Sequence, residues 1–518
     1  MQFLSGKPRD QLYLIPTSLE EVISSDNEAR TLDAFVSMLD LQTCGFQFPQ
    51  GKGAKGGRPA YHPSVLLKLY LYGYMNRIRS SRALERECGR NIELMWLMEG
   101  LVPDHNTIAN FRKDNAEAIR EVFRSTVRTA DSFKLIGKKL IAGDSTKLRA
   151  QNSKKNNYNE KKIERHLKYI EEKLAEYQRV LDGADSEHSF SEAVLGIQRM
   201  KKQARRYRQS QQHLRRSGEK QISTSDPDSR QLITRNNITE VAYIVQTTVD
   251  AEHKLLVDYL VTNTNDSKAM GTMLERAVEE LGTSDFTALY DKGYHTGTEF
   301  KKANELKVNV MVAIPDVASQ APNPEYNLEA FVYDTKKNRY TCPQGHVLRS
   351  NGQWYTKHHG LTKVKVQHFK TNRCKTCPVK DLCTKNEKGR LIERSEYAGL
   401  IEANKARINA DPATYKLRQQ LVEHPYGTIK RQWGFDHVMT KRYLERASAD
   451  IGLIFTAYNL RRLMTIFSPS KLRELFKALK GLKQAGFPAP TGLLLMRKLK
   501  KAVLGLQIDF GHGRLLVA

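Results

Sequence analysis

The chain has no apolar run approaching the roughly 18–20 residues needed to cross a bilayer. TGLLLM, near the end, is far too short. The opening, MQFLSGKPRDQLYLIP, is charged and broken by proline, unlike a secretory signal. Both features point to a cytoplasmic protein with no membrane partner. Cysteine is scarce: six in 518 residues do not make a disulfide scaffold. Acid is short relative to base, with 57 Asp and Glu against 84 Lys and Arg and a formal net charge of +27. Such an excess selects a polyanion as partner. A basic chain can be merely soluble, but here the charge is clustered. Residues 51–90 are net +7, residues 198–220 net +8 and residues 471–518 net +8.

A chain of this length exceeds one simple core and predicts several domains. GKGAKGGR (51–58) is Gly-rich and basic and lacks the Lys-Ser/Thr ending of a P-loop, so it reads as a linker. From Pro63 the pattern turns helical, with Leu66, Leu67, Leu69, Tyr70 and Tyr74 forming a broad apolar face. Ser80 or Ser81 is placed to cap a second helix. Asp104 or Asn106 is placed to cap a third, whose exposed side carries Asn110, Arg112 and Lys113. That succession fits either a helix-turn-helix DNA reader or an ordinary bundle. Residues 160–217 repeat apolar steps of four and three on either side of a polar turn, predicting an antiparallel helical hairpin. Its second arm carries Arg205, Arg206 and Arg208, as phosphate contacts or as a solvated face. Around it, strand-like and helix-like segments alternate in an order that predicts a mixed sheet covered by helices. Ile451, Leu453, Ile454, Ala457 and Leu460 are expected in the core.

Three carboxylates stand in distinct settings. Asp144 closes KKLIAGD and Asp291 closes FTALYD, each at the end of a strand-length apolar run. Glu423 lies in the helical segment YKLRQQLVEHPYGTIKRQ. Hard Mg2+ or Mn2+ takes carboxylate oxygens, and two such ions suit phosphodiester chemistry. A lone Asp after an apolar run is more often a turn or cap, so the combination carries the reading. Separately, TCPQGH and NRCKTCPVKDLC supply Cys342, Cys374, Cys377 and Cys383, a set suited to tetrahedral Zn2+, with His346 in reserve. The alternative is four unlinked thiols.

With these residues in view, the chain resembles the DDE transposases of bacterial insertion sequences. It is most similar to insertion-sequence family eleven-eighty-two, within the IS-four-like set. The resemblance rests on GRPAYHPSVLLKLYLYGYMNRIRSSRALERE, IAGDSTKL, TSDPDSRQL with YIVQTTVD, LYDKGYH and VEHPYGTIKRQWG, and covers roughly residues 55–465. It implies an α/β fold with an RNase-H-like mixed-sheet core. A helical N-terminal DNA-binding domain is expected over 1–130 and a catalytic domain over 131–470. The latter is interrupted by the helical hairpin (155–222) and a zinc-binding insertion (335–395), and a basic tail (471–518) follows. The resemblance puts the catalytic, Mg2+-binding carboxylates on Asp144, Asp291 and Glu423, and phosphate contacts on Tyr415, Arg418 and Lys430. The gap between Arg418 and Glu423 is four residues where the wider set has three, a departure that bears on Arg418. The implied partners are the terminal inverted repeats and target DNA, met by a homodimer in association with the nucleoid. A catalytically silent DNA-binding descendant and a metal-dependent nuclease without strand transfer are the alternatives.

Overall fold

Capping side chains and apolar periodicity set the N-terminal helices. In the computed structural model, residues 18–48, 59–183, 187–233, 238–315, 321–359 and 362–484 are described. The 51–58 linker and the tail beyond 484 lie outside them. Helix α1 (Glu28–Met38) begins where the Asn27 side chain accepts from the Ala29 N–H at 2.8 Å. Helix α2 (Pro63–Met75) starts on proline, whose missing N–H costs nothing in a first turn. α3 (Ser81–Cys88) follows Ser80, and α4 (His105–Asp114) is capped by Asp104, which accepts from the Asn106 and Thr107 N–H groups. α5 (Ala116–Ser132) leads to strand β1 (Leu140–Arg149).

The chain then leaves the sheet. β2 (Asn157–Tyr158) precedes the helices α6 (Glu160–Asp182) and α7 (Glu187–Ser217), and β3 (Ile222–Ser223) follows them. β2 and β3 pair antiparallel, Asn157 with Ser223 and Tyr158 with Ile222, so the hairpin departs and returns at one point. Its base is fastened by rings: His166 stacks on Tyr207 at 5.0 Å, and Tyr158 meets both edge-on.

β4 (Arg230–Ile233), β5 (Thr239–Asp250) and β6 (Leu256–Thr262) come next. Then follow α8 (Met270–Leu281), β7 (Thr287–Tyr290), α9 (Gly297–Glu305) and β8 (Asn309–Val312). Two small three-stranded sheets succeed them, ordered β11-β10-β9 and β12-β13-β14. Their strands are β9 (Val332–Asp334), β10 (Arg339–Thr341), β11 (Val347–Arg349), β12 (Tyr355–His359), β13 (Thr362–Phe369) and β14 (Ile392–Ser395). Helices α10 (Ala398–Ala410), α11 (Pro412–Tyr426), α12 (Leu444–Phe467) and α13 (Pro469–Gln484) are the last elements among the described residues. The class is mixed α/β.

The chain forms two compact units, and β1 is divided between them at residues 144 and 145. The first unit takes residues up to 137, 145–264 and those from 423 onward. In it β5 pairs antiparallel with β4 and β6. α12 is apolar around much of its circumference, as a helix surrounded by protein must be. Ile451, Leu453, Ile454, Ala457 and Leu460 are all fully buried, against α5, α2 and β6. Asn459 on α12 bonds both the N–H and the C=O of Leu256, serving the β6 backbone as a neighbouring strand would.

One expectation fails in this unit. Arg112 does not face solvent on α4; it is buried at 5% exposure. With Arg79 it encloses the fully buried Asp450 of α12: Arg79 Nη2 lies 2.6 Å from Oδ2 and Arg112 Nη1 3.3 Å from Oδ1. Tyr74 Oη also donates to Asp450. Burial works to raise the Asp450 pKa, but the two guanidiniums outweigh it and hold the carboxyl below its ordinary range. Sequence pattern treats a cation near a helix end as solvated, because the partnering acid lies more than three hundred residues downstream.

The second unit takes residues 138–144 and 265–422. Here β1, β7 and β8 run parallel, with Ala142 opposite Leu289 and Leu289 opposite Met311. Asn404 on α10 bonds the N–H and C=O of Val312, closing the β8 edge as Asn459 does for β6. The small sheets share their own core of Phe331, Tyr340, Leu348, Phe369 and Ile392.

Candidate active site

The parallel pairing of β1 with β7 determines where two of the three carboxylates stand. Ala142 is in register with Leu289, so two residues on, Asp144 and Asp291 stand at the same level. Asp291 lies just past the end of β7, as expected, but Asp144 does not close its strand, because β1 runs on to Arg149. Gly143 makes the approach possible: a Cβ there would lie 2.0 Å from the Tyr290 ring. Asp291 caps the short turn that follows β7, its Oδ1 accepting from the Gly293 N–H at 2.7 Å. Both aspartates are partly exposed.

α11 is anchored at this strand end. Tyr415 Oη donates to the Tyr290 carbonyl at 3.1 Å. Arg418 Nη1 lies 3.3 Å from Asp144 Oδ2, with both side chains mostly buried. Burial raises the Tyr415 pKa, opposed by the adjoining Arg418 guanidinium and reinforced by Asp291. Asp144, Asp291, Tyr415 and Arg418 thus form one cluster. Sequence reasoning missed Asp266, whose carboxylate lies beside Gly293 in the turn after Asp291. It sits in the polar loop TNTNDSK, without the apolar approach that marks the other two aspartates.

In the first unit, Glu423 is exposed on the last turn of α11. Pro425 lies inside α11 and supplies no N–H to the ladder. The helix widens directly afterwards into a π-helical segment, Gly427–Gln432. Within it Lys430 Nζ donates to Thr146 Oγ1 and to the Lys147 carbonyl, both at 3.1 Å. The lysine is thereby fixed to β1 shortly beyond Asp144. Arg205, Arg206 and Arg208 are exposed on α7.

Cys342, Cys374, Cys377 and Cys383 line one small cavity of about 30 Å3, together with His346. The His346 backbone N–H points at Cys342 Sγ, 3.3 Å away. Burial pushes the Cys383 thiol up; Arg390 opposes this and the three other cysteines add to it. Soft thiols converging on one cavity match Zn2+ in donor type, and the oxygens of Asp144 and Asp291 match a hard divalent ion. Among the described residues, however, no group of three or more His, Cys, Asp or Glu side chains is arranged to hold a metal ion. Nor is any described helix long and apolar enough to cross a membrane.

Family models match two separate stretches of the chain. A transposase domain model (DUF772) matches residues 17–114, and a transposase DDE domain model matches residues 341–464. Both models describe transposase domains, the second of the DDE type, and neither reaches a particular insertion-sequence family. No curated protein matches the chain. Among solved structures, a piggyBac transposase synaptic complex with hairpin DNA aligns over 94% of this chain and 87% of that one, at 9% identity and a TM-score of 0.28.

Proposed function

We propose that this chain cleaves and transfers DNA strands at insertion-sequence ends by two-metal-ion phosphodiester chemistry on an RNase-H-like core. The observation that carries the reading is the pair Asp144 and Asp291, level with each other on neighbouring parallel strands. Asp144, Asp291 and Glu423 are the proposed carboxylate ligands. Divalent ions such as Mg2+ or Mn2+, when bound, activate the attacking oxygen and offset charge on the leaving one. Arg418 orients Asp144 and, with Lys430 and Tyr415, faces the phosphodiester. Tyr415 also keeps α11 on the strand end, so that positioning requires no rearrangement as the reaction proceeds. Arg205, Arg206 and Arg208 contact phosphates of the terminal inverted repeats or of target DNA. Two copies act together on DNA. The four cysteines hold one structural Zn2+ once their thiols are deprotonated and drawn together.

Asp144→Asn tests the catalytic assignment. Magnesium-dependent cleavage of duplexes bearing the element's ends should vanish while DNA binding persists, and a variant that still cleaves would remove Asp144 from the reaction. Metal analysis of purified, reduced protein should find one zinc per chain, lost in Cys377→Ser. Protein without zinc overturns the tetrathiolate.

A further inference from the structure

Residues 335–395 contain fifteen Lys and Arg against three Asp and Glu, a net charge of +12. That exceeds the N-terminal, hairpin and tail stretches, each at +7 or +8. A zinc-stapled insertion needs no such charge to fold, and the arrangement of the cations opposes folding.

Arg339 on β10 stands opposite Arg349 on β11. Arg349 stands opposite Lys370, just past β13, with backbone bonds of 3.0 and 3.1 Å exchanged between them. Three cations therefore line up across adjacent strands. Arg339 has an acid, Asp334, at 3.5 Å. Arg349 and Lys370 are exposed and, among the described residues, make no ion pair. Like charges directly opposite one another destabilise a sheet, and an external polyanion reverses the sign of that contribution.

β12 and β13 run on past the end of β14 as a ribbon, with Glu396 still bonded to the Lys365 backbone on its far side. In it His358 faces Lys363 and Thr356 faces Lys365, all four exposed. At the ribbon's base Trp354 is 49% exposed. A two-stranded β-ribbon is one of the shapes the DNA major groove admits, and lysines along it meet the flanking phosphates.

We propose that the 335–395 insertion is a DNA-binding surface, its Arg349–Lys370 row and its Lys363–Lys365 ribbon gripping the backbone of a duplex. The assignment to DNA rests on the transposase reading, which supplies the polyanion.

The test uses the full chain and two double variants, Arg349→Ala/Lys370→Ala and Lys363→Ala/Lys365→Ala. Binding to two labelled duplexes, one bearing an element end and one of unrelated sequence, is followed by fluorescence anisotropy across a salt series. Each double variant should weaken binding roughly tenfold near 0.2 M salt and flatten the log–log salt slope by about 0.9 for each phosphate that the protein no longer neutralises. Equal losses on both duplexes assign the surface to target DNA; a loss confined to the end duplex assigns it to the element. The Arg349→Ala/Lys370→Ala protein should also melt no lower than the parent, since a repulsive pair has gone. Unchanged affinity and slope in both variants overturn the proposal, as does tighter binding to an RNA duplex than to DNA. Failure of the transposase reading looks different: the parent binds duplexes with the same sensitivity to these variants yet cleaves none of them with Mg2+.

Discussion

At the scale of single residues, Gly143 is the most constrained position next to the aspartate pair. It precedes Asp144, and a Cβ there would overlap the ring of Tyr290, itself buried at 1% exposure. Neither partner has room to yield, because Tyr290 is packed against Tyr294 at a ring separation of 4.8 Å. Gly143→Ala should therefore cost about 1–3 kcal/mol of stability, as overpacking does, and should part β1 from the end of β7. Urea unfolding gives the first quantity. Unfolding at the parent midpoint would show that the strand ends tolerate a side chain. The glycine in IAGD was visible in sequence, but its reason was not. The atom it makes way for belongs to a residue nearly 150 positions further on, brought alongside only by β1–β7 pairing.

At the scale of elements, the hairpin arms differ in charge although they share a seam. α6 carries as many acids as bases, whereas α7 is strongly basic. Ala204 and Leu214 are buried along α7, and Arg205, Arg206 and Arg208 are exposed. If those arginines meet phosphates, replacing all three with alanine should flatten the salt dependence of DNA affinity by up to about 0.9 log unit per phosphate. Cleavage of bound substrate should be unaffected. Equilibrium titrations at several salt concentrations measure this. A variant with unchanged affinity and slope would leave the arm a pairing device between subunits, to be sought by sedimentation. Helix periodicity made the hairpin legible, because each arm's burial follows its own sequence spacing. The buried Arg112 was illegible for the opposite reason. Local pattern reports which residues share a face, and says nothing of a distant acid that turns a surface cation into an internal one.

At the scale of the whole molecule, the order of strands and helices and the acid that follows β7 were readable from short apolar runs, whereas β1, expected to end at Asp144, runs on to Arg149. Nor was the division of β1 between two compact units readable. The boundary falls at Asp144, while the strand continues through it without any break in composition. The charge was readable as a total and misleading as a map. Helical runs of Arg and Lys stand out in the sequence, while the larger excess in 335–395 is spread over short strands and turns. Only strand register reveals that cations there stand face to face.

The clamp between β2 and β3 has a bearing on the length of the arm. Because Asn157 and Tyr158 are tied directly to Ser223 and Ile222, the core meets everything between them as a single short crossing. Residues can be gained or lost within α6 and α7 in matched steps of whole helical turns without any strand changing its neighbour. The reach of the arm is thereby uncoupled from the strands beneath it, and can change without disturbing their pairing.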